Sequence, residues 1–164
     1  MIRPVLQLGD PHLLEHSQPA SFPLDAATME IVRDLLDTMA HFKSVGIAAP
    51  QIGYPIRAFV MSTELTQRKD VARIGPLVFI NPTVVQLSGR CSSDHEGCLS
   101  SGDQHGNPYF RAAVDRAAWV DLEWFDQNGG SHRERFQEFH ARIVQHEMDH
   151  LDGRHFVHRL TSMD

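Results

Sequence analysis

The sequence predicts an α+β fold built on antiparallel sheet, not on repeated βαβ units. Three features carry this reading: an amphipathic helix near the start, a succession of strand-like segments through the middle, and a second helix after the last of them. The first helix begins at Asp25, a capping residue, and its apolar positions Met29, Val32, Leu36, Met39 and Phe42 recur every three or four residues. The stretch before it, through Pro23, carries scattered proline and glycine and reads as extended chain and turns, with Val5-Leu6-Gln7-Leu8 as a short strand. Beyond the helix, Lys43-Ser44-Val45-Gly46 runs into Ile47-Ala48-Ala49-Pro50-Gln51-Ile52-Gly53, which reads as a loop of small residues.

Ile56 to Met61 reads as a buried strand, and Leu77 to Leu87, interrupted at Asn81-Pro82, as one or two more. Ser62 to Ile74, between them, is polar and reads as a surface excursion. Arg90 to Glu96 leads to Gly97-Cys98-Leu99-Ser100, and Ser101 to Pro108 is a polar loop. Trp119 to Asp126 alternates apolar with polar residues, Gln127-Asn128-Gly129-Gly130 signals a turn, and Arg133 to Phe139 can return as the partner strand. This hairpin feeds directly into the last helix, where Phe139, Ile143, Val144 and Leu151 point inward and Gly153 is placed to end it.

Length and charge narrow the function classes. A chain of 164 residues with 41% hydrophobic content suits one domain, 1–164, with a conventional core. The net charge of −6 and a pI near 6.0 argue against a binder of nucleic-acid backbones, which needs a clustered basic surface. No apolar run approaches the roughly 20 residues that span a bilayer, and Met1-Ile2-Arg3-Pro4 does not open a signal peptide, so a cytoplasmic protein is expected. In a reducing compartment Cys91 and Cys98 are free thiols or metal ligands.

The chemistry concentrates in Gln145-His146-Glu147-Met148-Asp149-His150-Leu151. On a helix, His146 and His150 lie one turn apart, about 40° from each other around the axis, so both imidazoles can reach one cation. Glu147 flanks that cation without having to ligate it, the position of a base acting on metal-bound water. A third ligand is needed. His155 and His158 follow too closely for a comfortable tripod, whereas Cys98, between glycine and leucine at a strand end, can approach the helix face and leave one coordination position open. A closed structural site of Cys91, Cys98, His146 and His150 is one alternative, though its cysteine spacing is wide and it leaves Glu147 without a task; the blander one is that Cys98 is a buried apolar thiol, the common fate of a lone cysteine.

Three separate stretches, Ser44-Val45-Gly46-Ile47-Ala48-Ala49-Pro50-Gln51, Glu96-Gly97-Cys98-Leu99-Ser100 and the His-Glu-x-x-His run, resemble in order and spacing the signature motifs of peptide deformylases. Val114-Asp115-Arg116 and the hairpin turn extend the likeness, which covers about Val5 to Leu160. The resemblance implies antiparallel sheets wrapped around a central metal-binding helix and removal of the formyl group from N-formylmethionyl peptides or nascent chains. It implies Cys98, His146 and His150 as metal ligands and Glu147 as general acid/base. Gln51 would offer its amide, and Leu99 its backbone N–H, to the substrate carbonyl. Gly46, Ile47, Arg111, Phe139, Arg142 and Ile143 would line the peptide. The expected ion is Fe(II), with Zn(II), Ni(II) or Co(II) able to replace it.

The departures from the family pattern fall on the rim. Ser44 stands where a glycine usually begins the first motif, Ser101-Gly102-Asp103 replaces an apolar residue, proline or alanine, and glycine, and the loop to Arg111 is about six residues longer than in common bacterial members. Arg116 is expected to pair with Glu96. Arg142, one turn before His146, is expected to line the side-chain pocket with its stem while its head pairs with Asp94 or Glu138, because an unpaired buried charge is costly. With no basic C-terminal helix after Leu160, at most transient ribosome contact is expected. A catalytically weak, deformylase-like binder of peptides or metal, its entrance obstructed by the unusual rim, is the competing expectation.

Overall fold

The computed structural model describes residues 1–103 and 105–160; Gln104 in the long loop and the chain beyond Leu160 lie outside the described residues. Two α-helices, α1 (Ala26–Phe42) and α2 (Glu138–Leu151), accompany seven strands: β1 (Gly46–Ala48), β2 (Ala58–Met61), β3 (Leu77–Leu87), β4 (Cys91–Glu96), β5 (Ala112–Ala117), β6 (Trp119–Phe125) and β7 (Ser131–Gln137). Antiparallel pairing gives a five-stranded sheet ordered β1-β2-β3-β6-β7 and a separate β4-β5 ladder. The fold is thus α+β, as expected, with α2 packed against strands of both sheets.

The period of two along the strands decides what sits where. Phe59 and Met61 of β2 join Phe79, Leu122, Phe136, Val144 and Leu151 in the cluster that α2 covers. Ala58 and Val60, with the opposite orientation, join Val78, Ile80 and the α1 residues Val32, Leu35 and Met39. Every residue of β2 is therefore buried, one face serving each helix. Of the predicted α1 stripe, Val32 and Met39 are core and Leu36 packs against them, whereas Met29 and Phe42 are partly buried outside the cluster; the helix start is capped as predicted, the Thr28 N–H donating to Asp25 Oδ1 at 2.7 Å.

Several local expectations are corrected. Val5 to Leu8 is not in a strand; it stitches across the fold, Leu6 N–H donating to the Gln51 carbonyl and Leu8 N–H to the Ser100 carbonyl. The small-residue loop divides into β1 at the sheet edge and a single tight turn, Ala49–Ile52, because the Gln51 Oε1 accepts from Ala48 N at 2.8 Å and closes the turn on itself. Asn81 does not break β3: with φ of 50° it forms an irregularity inside the strand, and its amide exchanges hydrogen bonds with both main-chain groups of Ala20. The returning hairpin strand ends at Gln137. Glu138 takes a φ of 48°, its N–H donating to the Ala118 carbonyl, and Phe139 enters α2. Gly153, with φ of 66°, follows α2 as expected, its Cα pressed against the Leu14 carbonyl where a side chain has no room.

Candidate metal centre

Cys98 ends the segment leaving β4, and His146 and His150 lie one turn apart on α2, so sheet and helix deliver their ligands to one point. The ligand atoms of these three buried residues lie within 4.8 Å of one another, and Cys98 Sγ is 3.3 Å from His150 Nε2. Thiolate and imidazole bound to one tetrahedral ion, at ~2.3 and ~2.1 Å, stand about 3.6 Å apart, so the donor set fits a single metal with a position left over. Among the described residues it is the one cluster of this kind. Cys91 is exposed on β4, which removes the four-ligand alternative, and His155 is buried beside His150, its ring centroid 5.4 Å away, but is outside the cluster.

The surroundings favour a cation. His146 Nδ1 is 2.9 Å from Glu96 Oε2, which leaves Nε2 for the metal and fixes the ring. Burial disfavours a charged His146, but Cys98 and Glu96 outweigh it and hold a proton there well above the ordinary histidine range; at His150 burial, reinforced by His146, pushes the other way. A bound metal replaces such a proton. Glu96 is the hub of the network. Burial alone raises its pKa, yet His146 and Arg116 hold it far below the usual carboxylate range. Arg116 grips both its oxygens at 2.9 Å and donates also to Asp149, which Arg159 meets from outside.

Glu147 is buried, and its Oε2 has no hydrogen-bond partner. Burial pushes its carboxyl up to about 7 against the pull of the His146 and Arg116 charges. Gly46 lies directly over it: a Cβ there would stand 2.5 Å from Glu147 Oε1. Gln51 is oriented by Ala48, so its Nε2 faces Cys98 Sγ at 3.3 Å and Ser100 Oγ at 3.1 Å. Leu99 opens the turn Leu99–Ser101, where the leading N–H groups have no partner inside the turn.

These groups face a cavity of about 630 Å³, also lined by Arg111, Phe139, Arg142 and Ile143. Ile47 does not line it; its side chain is fully buried on the α1 side, so only its backbone could meet a ligand. Arg142 does line the cavity, but its head does not pair with the Asp94 carboxylate or with Glu138, which Arg68 and Arg90 occupy. It donates to Glu96 Oε1 at 2.7 Å and to the carbonyls of Val114 and Ser92 at 2.8 and 2.7 Å. Sequence reasoning missed Ser100, Arg68 and the Asp149–Arg159 pair; Ser100 and Asp149 had a signal, their places inside the Cys98 and His-Glu-x-x-His motifs.

Two imidazoles, a thiolate, a room-making glycine and a buried acid beside the open position define a mononuclear metal-dependent hydrolase. The chain belongs to the polypeptide deformylase family, which matches residues 2–164. It is 35% identical to a peptide deformylase of Chlorobaculum parvum over 164 residues, 100% of this chain and 82% of the relative. To peptide deformylase 1 of Nitrosomonas europaea it is 37% identical, with 99% and 90% covered. Among solved structures, class I type b peptide deformylase of Acinetobacter baumannii bound to Met-Ala-Ser superimposes with a TM-score of 0.88 at 31% identity, covering 98% of this chain and 99% of that one. The Thermotoga maritima peptide deformylase gives 0.84 at 28% identity over 99% of each.

Proposed function

We propose that this deformylase hydrolyses the formamide of N-formylmethionyl peptides, the amino termini of nascent chains, to formate and a free amine. The observation that carries the reading is the juxtaposition of three ligands with a carboxylate oxygen that has no partner of its own. When bound, a divalent ion supplies water made acidic enough to act as nucleophile near neutral pH. The mixed imidazole and thiolate set suits Fe(II), the ion we expect, and also Zn(II), Ni(II) and Co(II).

The residues then divide the work. Glu147 takes the proton as the water oxygen bonds to the formyl carbon, and returns it to the nitrogen as the carbon–nitrogen bond breaks. Its buried setting keeps the carboxyl near neutrality, where donor and acceptor forms are both accessible. Gln51 Nε2 and the Leu99 N–H meet the carbonyl oxygen as it gains charge; one such donor is worth about 3 kcal/mol in the transition state. Gly46 keeps the peptide backbone close, Arg111 stands at the mouth of the cavity, and Phe139, Arg142 and Ile143 line the side-chain pocket. The Met-Ala-Ser bound to the Acinetobacter relative has the sequence a deformylated product would have, which supports a formylmethionyl substrate here. The proposed role is cytoplasmic, with at most transient contact with the ribosome; no described helix is long and apolar enough to cross a membrane.

Formate release from formyl-Met-Ala-Ser, measured anaerobically with Fe(II) or in air with Ni(II), tests the reading. Wild type is expected to turn over and Glu147→Gln to be silent while retaining one metal per chain. A silent wild type with full metal would point instead to a peptide-binding relative that has lost catalysis.

A further inference from the structure

The irregular segment between β2 and β3 reaches into the cavity. Its base is pinned by buried Thr63, whose Oγ1 donates to the Ala72 carbonyl and accepts from Ile74 N–H. From it Arg68 lays its guanidinium over the Phe139 ring, 4.6 Å from the centroid, and donates to Asp94 Oδ2 at 2.6 Å. Three elements therefore meet there: the segment itself, β4 through Asp94 and the first turn of α2 through Phe139. Arg68, Phe139 and Arg142 line the main cavity, and the same three line a second cavity of about 380 Å³ on their far side. They form the partition between the two. Arg142 is locked by a carboxylate and two carbonyls, and Phe139 is part of a helix, whereas Arg68 is held by its ring stack and by Asp94, with the more exposed Asp70 at 3.5 Å.

We propose that Arg68 is a specificity-determining residue that sets the depth of the pocket for the first substrate side chain. Its guanidinium, held flat on Phe139 by Asp94, is the end wall at which a side chain of methionine length stops. An apolar chain that fits gains about fourfold in binding per methylene. A longer one would have to lift an ion-paired cation off an aromatic face, and gains nothing until it does. Without Arg68 the two cavities become continuous past Phe139, and longer chains find room. The proposal rests on the deformylase reading of the metal centre.

The test compares kcat/KM, by formate release from the Ni(II) enzyme, for formyl-Xaa-Ala-Ser peptides with norleucine, 2-aminoheptanoate or 2-aminooctanoate first. The ratio between the longest and the norleucine peptide is taken within each enzyme, so the folded or loaded fraction cancels. Wild type should fall at least tenfold along the series, whereas Arg68→Ala should fall threefold or less, the change residing in KM. Asp94→Ala, which releases the guanidinium, should move in the same direction by a smaller factor. If wild type releases no formate from formyl-Met-Ala-Ser, the deformylase reading fails, and the wall is judged from calorimetric binding of the unformylated peptides in the same length series. Equal length profiles for wild type and Arg68→Ala, in rate or in binding, overturn the proposal.

Discussion

Replacing Gly46 by alanine tests the placement of the acid directly. The new Cβ would lie 2.5 Å from Glu147 Oε1 and 3.0 and 3.1 Å from its Cδ and Cγ, where ordinary contact begins at 3.4 Å. Relief requires the carboxylate to withdraw by about 0.9 Å, and a misplacement of about 1 Å at a reacting group costs on the order of 10²-fold. Glu147 is buried and its one open side is the cavity, so the carboxylate can withdraw from Gly46 only by shifting within the site. Gly46 does not have a positive φ, so alanine adds no backbone strain that would confuse the outcome. We therefore expect kcat for formyl-Met-Ala-Ser to fall about 100-fold, with metal content and melting temperature held. A loss below about threefold with full metal would show that Glu147 does not need its position under Gly46, and the acid/base assignment would fall with it.

Glu96→Gln should weaken metal binding about 10- to 100-fold in competition with a chromophoric chelator, because His146 loses the acceptor that orients it. Arg142→Met should destabilise the metal-free protein by about 3 kcal/mol in urea, since the Val114 and Ser92 carbonyls lose their donor while Glu96 keeps Arg116. A change below about 1 kcal/mol would mean that water takes over those carbonyls. Burial pushes Asp94 up, but Arg68 and the His95 N–H outweigh it and leave the carboxyl below its ordinary value of 3.8. A depressed carboxylate stabilises the fold above its unfolded pKa and loses that contribution as pH falls through the folded one. The difference in urea midpoint between wild type and Arg68→Ala should accordingly be constant from pH 7 to about 5 and shrink below about 4; a gap that widens on acidification contradicts the pairing.

What was legible in the sequence was local. The apolar stripe of α1, the alternation in β6, the glycine turn after it and the one-turn spacing of His146 and His150 are all written within a few residues of each other. Cys98 was a candidate from its place at a strand end and was singled out by motif resemblance, and Gln51 was reached through that resemblance alone, which stands in for contacts that no periodicity reveals. β4, Cys-Ser-Ser-Asp-His-Glu, has no apolar face and is a strand because β5 pairs with it residue for residue, a tertiary effect that outweighs propensity. β1 is too short and too poor in branched residues to announce itself. The partner of Arg142 was misjudged for a related reason: Asp94 and Glu96 both point from β4 with the same parity, and only the packing of α2 decides which one the guanidinium meets. Arg68 could not be found at all, because a polar segment without periodicity gives no clue to where its side chains land.

The β4-β5 ladder holds Glu96 opposite Ala112, and Cys98 leaves one strand just before Arg111 approaches the other. Both ends of the intervening loop are thus clasped together independently of how many residues lie between. The loop itself folds back over the site, Gly106 beside Phe42 and Leu99 and Pro108 beside Gly97, and so forms part of the entrance. Such an arrangement divides the labour: the loop shapes the entrance, while the ladder fixes where the sulfur stands beneath it.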